Sequence, residues 1–450
     1  VLAATRSIAG LLKGGDLVAS LTNPKPTAID GLIMAEALAY LLTPYLTVAD
    51  GVKGGDTPTT AINLETSASD GVEFSDETPA AIIAIIIAGI GMYYLVKSYD
   101  LNKLAALFSA IVFMLSGFMV THTIHPWIIY HAAWLPLILL LFKKALREKS
   151  LFYTIICGLV LGHSVLTGSP QVSLYIFLFL LFYFLSEFIS SMKVSLKSAL
   201  STVPPAAGVI IIGIAITAIQ LFPTIELAPL SNRAEISYEK SLEGSLNPEQ
   251  LITIFAPKFF GEQSALTNTY WGQGGYGQYW ETSIYLGIAV LILTIIALST
   301  LYRNRFVVFF CIILLFSILY ALGDSFFLHK SFFFYIPGFN LFRNPARMSL
   351  LLTFAASILS GFGLNELIKM QSANISKVNK VIIISLVIGA VIWLLVQLGL
   401  FQNASNPEYL AQIREMATRE TSIFIFILVC IGVLLLAFSK AKISPVLLPI

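Results

Sequence analysis

After Pro79 this chain passes through one long apolar stretch after another, and that succession restricts the fold more than any other feature. Eleven stretches read as membrane-spanning helices: 79–96, 104–120, 127–142, 151–167, 172–186, 205–222, 283–301, 306–322, 348–364, 381–401 and 422–438. A helix needs about 20 apolar residues to cross about 30 Å of hydrocarbon. Several stretches are shorter, so tilt or polar flanks must complete them. Charged residues are only 12% of the chain, against about 25% in soluble domains. The expected fold class is all-α, a polytopic membrane bundle.

The connections set its orientation. Starting from 97–103 and taking every second connection gathers 15 of the 27 Lys and Arg but four of the 25 acids, a split of +11 against −9. The positive-inside rule places those connections in the cytoplasm. Residues 1–78 then form an extracytoplasmic first loop, with an interfacial or cavity-lining helix over 29–46. Residues 79–222 carry six spans, and 223–282 form an aromatic extracytoplasmic loop. Residues 283–450 carry five more spans and the outer loop 323–347. A net charge of +2 gives a nucleic-acid partner no electrostatic support. No signal peptide is visible, the chain opens abruptly with Val1 and it ends in an apolar stretch, so further segments are expected beyond both ends.

The loops hold the residues with chemistry. Arg343 and Arg347 flank Pro345 at the mouth of the 348–364 stretch. Proline starts helices well, and a helix N-terminus with two guanidiniums suits a phosphate or carboxylate. Arginines snorkelling to headgroups is the plainer reading. The aromatic loop carries Tyr270, Trp271, Trp280 and Glu281 among glycines and glutamines. Such a set suits carbohydrate, and it equally suits an interfacial aromatic belt. Glu226 follows Pro223 at the end of a span, with Arg233 shortly after; base and ion pair both remain open. Gln171 in Gly168-Ser169-Pro170-Gln171 either meets a substrate or caps the next helix. His122, His125 and His131 are close in sequence, but no Cys or acid accompanies them, which favours a structural role over a metal. His163, inside a span, is expected to face the bundle interior. Cys157, Cys311 and Cys430 read as apolar core residues. No nucleotide-binding or HExxH motif is present.

Several pieces in order resemble bacterial membrane proteins of the YfhO type, grouped with the GT-C glycosyltransferases. They are Ser116-Gly117 with His122 and His125, Ala132-Ala133-Trp134-Leu135-Pro136, and Gly168-Ser169-Pro170-Gln171. Phe222-Pro223 with Glu226, Ser231 and Arg233 follows, then Ala256-Pro257 with Phe259-Phe260-Gly261, and Tyr285-Leu286-Gly287. Pro337 and Arg343-Asn344-Pro345-Ala346-Arg347 with Gly361-Phe362-Gly363-Leu364 complete the series. The resemblance covers roughly 80–370 and, more faintly, 10–50.

The resemblance implies a bacterial inner-membrane enzyme that uses a polyprenyl-phosphate-linked sugar on the outer face, embedded among membrane lipids. It implies a first-loop acid, Asp30 or Asp16, as base or as contact for a divalent metal ion. Arg343 and Arg347, helped by Arg233, would hold the lipid phosphate, and Glu226, Gln171, Tyr270, Trp271 and Trp280 would line the site. Two other classes remain open: a lipid-linked glycan transporter, and a non-catalytic scaffold subunit with partners in a membrane complex. Charged residues along a path through the spans would mark the transporter.

Overall fold

The computed structural model describes residues 78–227, 230, 236–261, 270, 279–369, positions within 383–398, and 407–440. The expected helix over 29–46 and part of the stretch 381–401 lie outside the described residues. All regular structure among the described residues is helical. The helices used below are α1 (Thr78–Lys97), α2 (Lys103–Met114), α3 (Gly117–Thr121), α4 (Pro126–Ala132), α5 (Leu135–Glu148), α6 (Leu151–Val165), α7 (Pro170–Met192), α8 (Val203–Leu227), α9 (Tyr279–Thr282), α10 (Ile288–Thr300), α11 (Arg305–Ala321), α12 (Phe327–Tyr335), α13 (Ser349–Lys369) and α14 (Pro407–Lys440).

Six helical segments among the described residues are long and apolar enough to cross a membrane: Ala80–Lys97, Lys103–Thr121, Pro126–Glu148, Pro170–Met192, Leu196–Leu227 and Pro345–Lys369. They coincide with six of the eleven expected stretches. Three more stretches match α6, α10 and α11, apolar helices of 15, 13 and 17 residues. The stretch 422–438 lies within α14.

Side-chain contacts gather the connections into two ends. One end, the basic end, carries Lys97, Lys103, Arg147, Lys149, Lys193, Arg303 and Arg305. Three helices start there on side-chain caps. Asn102 accepts from Ala105 N at 2.7 Å, Ser150 from Tyr153 N at 3.5 Å, and Asn304 from Phe306 N at 2.9 Å. These oxygens satisfy amides that the first turn leaves unpaired. The opposite end, the loop end, holds residues 122–125, 166–169, 236–261, 279–287 and 322–347.

The centre of the bundle is α13, buried from Ser349 to Asn365. It packs on α2, α10 and α11, and its small residues permit the close approach. A Cβ on Gly363 would lie 1.9 Å from Leu293 O, and one on Gly361 would lie 2.1 Å from Ser109 Oγ. Small residues drive helix association where lipid removes the hydrophobic difference between contact and solvent. Three hydroxyls of α13 bond within the helix: Thr353 donates to Ser349 O and Ser357 to Thr353 O, both at 2.7 Å, and Ser360 to Ser357 O at 2.8 Å. Gly158 and Gly162 of α6 do the same against Ile212 and Ile216 of α8, where added Cβ atoms would lie 2.6 and 2.8 Å away. Otherwise α8 is mostly exposed.

His163 departs from expectation. It lies on the exposed face of α6, edge-on to Trp134 at 5.1 Å between ring centroids. A position inside an apolar run does not fix which face it occupies, and here Gly158 and Gly162 take the packed face.

Candidate functional site

Three segments converge at the loop end: α3 with His122, α9 with Glu281, and the turn 343–348 that leads into α13. Backbone contacts fix them. Gly117 N donates to Tyr285 O at 3.2 Å, and Thr121 Oγ1 to Trp280 O at 3.2 Å. Asn344 N donates to Glu243 O at 2.8 Å, and Ala346 N to Gly244 O at 3.1 Å. Asn344 adopts the left-handed conformation, φ 61°, which asparagine tolerates better than most residues. Pro345 then opens a 3-10 turn through Met348, and α13 begins at Ser349. The sharp reversal at Asn344 is what directs Arg347 into the bundle.

The centre of the cluster is Glu281, whose side chain is 2% exposed. Oε1 accepts from Asn344 Nδ2 at 2.9 Å and from Arg347 Nε at 2.9 Å, and also from Arg347 Nη2. Oε2 lies 2.9 Å from Arg347 Nε and 3.4 Å from His122 Nε2. A planar guanidinium matches a carboxylate in this way and an ammonium does not. Arg347 Nη1 donates to Gln171 Oε1 at 3.1 Å. The Gln171 amide in turn donates to Arg343 O at 2.6 Å and to Tyr175 Oη at 2.8 Å. The Tyr175 ring packs against Tyr320 and Phe339. Gln171, Glu281, Asn344 and His122 are all buried.

Burial pushes the Glu281 carboxyl up, but the hydrogen bonds and charges of His122 and Arg347 outweigh it and hold the group at about 2. Glu281 is therefore a fixed anion and a poor base. Burial lowers His125, and the neighbouring His122 adds to that effect. His125 is thus a neutral ring between Trp127 and Trp280, with centroids at 5.1 and 5.9 Å.

The two arginines that sequence places together engage different carboxylates. Arg347 is enclosed with Glu281, whereas Arg343 is 47% exposed and donates from Nη1 to Glu243 Oε2 at 2.9 Å. Glu243 also pairs with Lys240. The remaining candidates scatter. Trp280 lies beside His125, while Tyr270 Oη accepts from Gln250 Nε2 at 3.0 Å next to a separate small cluster that includes Phe259 and Phe260. Glu226 is exposed at the end of α8. Asp16, Asp30, Arg233 and Trp271 lie outside the described residues. His131 is buried, with Ser173 Oγ 3.5 Å from its ring nitrogens. Among the described residues no three His, Cys, Asp or Glu side chains converge as metal ligands.

Sequence reading missed Glu281 as the partner of Arg347, and missed Asn344 and Glu243 altogether as site residues. A signal existed. Glu281 stands two residues before an apolar stretch, and an acid at that depth requires a partner.

No protein-family model, no curated protein and no solved structure matches this chain. The helices define a multi-pass membrane protein, and the particular activity is a matter for the site.

Proposed function

We propose that this chain is a GT-C-like glycosyltransferase of the YfhO type, with eleven spans in a bacterial inner membrane and its loop end outside the cytoplasm. It moves a sugar from a polyprenyl-phosphate-linked donor to an acceptor on that face. The observation that carries the reading is the division of labour between the arginines. Arg343 offers a half-exposed guanidinium at the loop end, while Arg347, Gln171 and Asn344 hold its backbone in place. The Arg343–Glu243 pair lies at the surface, where such pairs contribute about 0–1 kcal/mol. A lipid phosphate competes well for it, since hydrogen bonds to charged groups contribute about 1.5–3 kcal/mol.

Glu281 is held too acidic to take a proton from an acceptor hydroxyl. The base is assigned instead to Asp30, which in sequence precedes the apolar segment 31–46 where an N-cap is expected, with Asp16 as the second candidate. A divalent metal ion, if the reaction uses one, belongs with those first-loop acids. The test is transfer by the purified chain in lipid nanodiscs, from polyprenyl-phosphate-linked hexoses and pentoses to a pool of lipid and glycan acceptors. Transfer that disappears in Asp30→Asn, with the fold intact, supports the reading. Absence of transfer and of polyprenyl-phosphate binding in the wild type overturns it.

One observation favours a second reading, a non-catalytic scaffold subunit. The Glu281–Arg347–Gln171–Asn344 set is closed on itself, with Glu281, Gln171 and Asn344 buried, as a purely structural tie would be.

A further inference from the structure

A second buried carboxylate lies at the basic end, and nothing in the proposed transfer uses it. Glu187 of α7 accepts from Arg147 of α5 and from Arg305 at the start of α11. Arg147 donates through Nε and Nη2 to Oε1 at 3.3 and 2.9 Å. Arg305 Nη2 donates to both oxygens at 3.2 and 3.3 Å, and Arg305 Nη1 reaches Ser190 Oγ at 2.6 Å. Tyr183 Oη adds a bond to Glu187 at 3.1 Å. Two guanidiniums therefore share one carboxylate, and the set keeps a surplus positive charge. Beside it, the buried Lys143 donates to the backbone oxygen and hydroxyl of Ser98, with its ammonium 3.6 Å from the centre of the Tyr99 ring.

The surplus is accessible. Glu187 is 8% exposed, but Arg147 and Arg305 are 35% and 42% exposed. Both guanidiniums also lie over the Phe306 ring, at 4.9 and 4.5 Å, which fixes their planes. Below Arg305 on the same face of α11 come Val308, Ile312 and Leu315, all exposed, at the three- and four-residue spacing of one helix stripe. On α7, Leu181, Leu185 and Ile189 form a second exposed stripe at four-residue spacing. The two helices touch. A charged rim thus stands at the head of an apolar surface that runs into the bilayer.

We propose that Arg147 and Arg305 form a binding site for the phosphate of an anionic membrane lipid, whose acyl chains lie along the α7 and α11 stripes. Glu187 holds the two forks in register, and the lipid phosphate takes the donors and the charge that a single carboxylate leaves over. The stripes distinguish a lipid from a free phosphate, because a soluble anion gains nothing from them.

The test is retention of phosphatidylglycerol by the full chain, purified from mixed phosphatidylcholine–phosphatidylglycerol nanodiscs into detergent and read by native mass spectrometry. The wild type is expected to retain phosphatidylglycerol over phosphatidylcholine, and millimolar inorganic phosphate should not displace it. Arg305→Gln should cut that preference about fivefold, the loss of one cation at a membrane surface. Glu187→Gln should keep or raise the preference, because it removes the competing carboxylate and leaves both arginines. Size-exclusion profiles verify that each variant is folded, and if Arg305→Gln fails that check Arg147→Gln replaces it. Equal retention of both lipids by the wild type overturns the proposal, as does an unchanged preference in the folded arginine variant. Displacement by inorganic phosphate overturns the lipid assignment in favour of a soluble anion.

Discussion

Glu281 at the loop end and Glu187 at the basic end are buried to a similar degree, yet their surroundings differ. Glu281 meets one guanidinium, and that arginine is only 20% exposed. An amide from Asn344 and the His122 ring complete its shell. Glu187 meets two guanidiniums, each more than a third exposed. The first arrangement balances its charge internally and fixes geometry. The second leaves positive charge over, at the end where we propose that a lipid phosphate binds. A buried ion pair is costly to break because the survivor is stranded away from water. The penalty should therefore be large at the loop end and smaller at the basic end, where the arginines reach solvent or headgroups.

Glu281→Ala sets the upper bound. It strands Arg347 and removes the acceptor of Asn344, and is expected to destabilise the fold by about 3–5 kcal/mol, measured by chemical denaturation in detergent. A much smaller loss would show that the loop end is open to water, and would erase the contrast. Gly363→Ala comes next. It forces a methyl group onto the Leu293 carbonyl, and overpacking of this kind costs about 1–3 kcal/mol. Because α13 runs between the ends, its effect should reach both clusters. Glu187→Gln should follow at about 1–2 kcal/mol, since one carboxylate's charge-assisted bonds are lost but no arginine is fully stranded. A loss equal to that of Glu281→Ala would mean the basic end is as closed as the loop end.

Acid gives a subtler separation. The Glu281 carboxyl lies at about 2 rather than 4.5. Its folded value is below its unfolded value, so its contribution to stability is complete above pH 4.5. That contribution is lost as pH falls from there through about 2. The stability difference between wild type and Glu281→Gln should thus shrink over that interval.

Much of this architecture is legible in the sequence. Among the described residues the apolar stretches appear as helices, six of them long enough to cross a membrane, because few other solutions exist for such segments in lipid. Among the described residues, Lys143 reaches Ser98 next to Lys97, and Arg147 and Arg305 meet on Glu187, so cations of different alternate connections come together. Partner choice was less legible. Arg343 and Arg347 look like a pair because they are four residues apart, and a left-handed Asn344 between them sends the side chains to different carboxylates. Their partners are 100 and 66 residues away, a separation that local pattern does not carry. The same holds for Glu187 and Arg305, 118 residues apart. The face of α6 that His163 occupies was also hidden, because glycine packing decides it.

The arginine pair offers the most direct measurement. We propose Arg343 as the residue that meets a lipid phosphate, and Arg347 as the one that builds the turn beneath it. Binding of a short-chain polyprenyl phosphate in nanodiscs should be compared for wild type, Arg343→Ala and Arg343→Lys, with thermal unfolding recorded alongside. The expected result is affinity about tenfold weaker in Arg343→Ala, partial recovery in Arg343→Lys, and unfolding indistinguishable from wild type in both. Arg347→Ala should instead lower the unfolding temperature, as loss of the Glu281 partner requires. Wild-type affinity in a folded Arg343→Ala, or undisturbed unfolding in Arg347→Ala, would contradict the assignment.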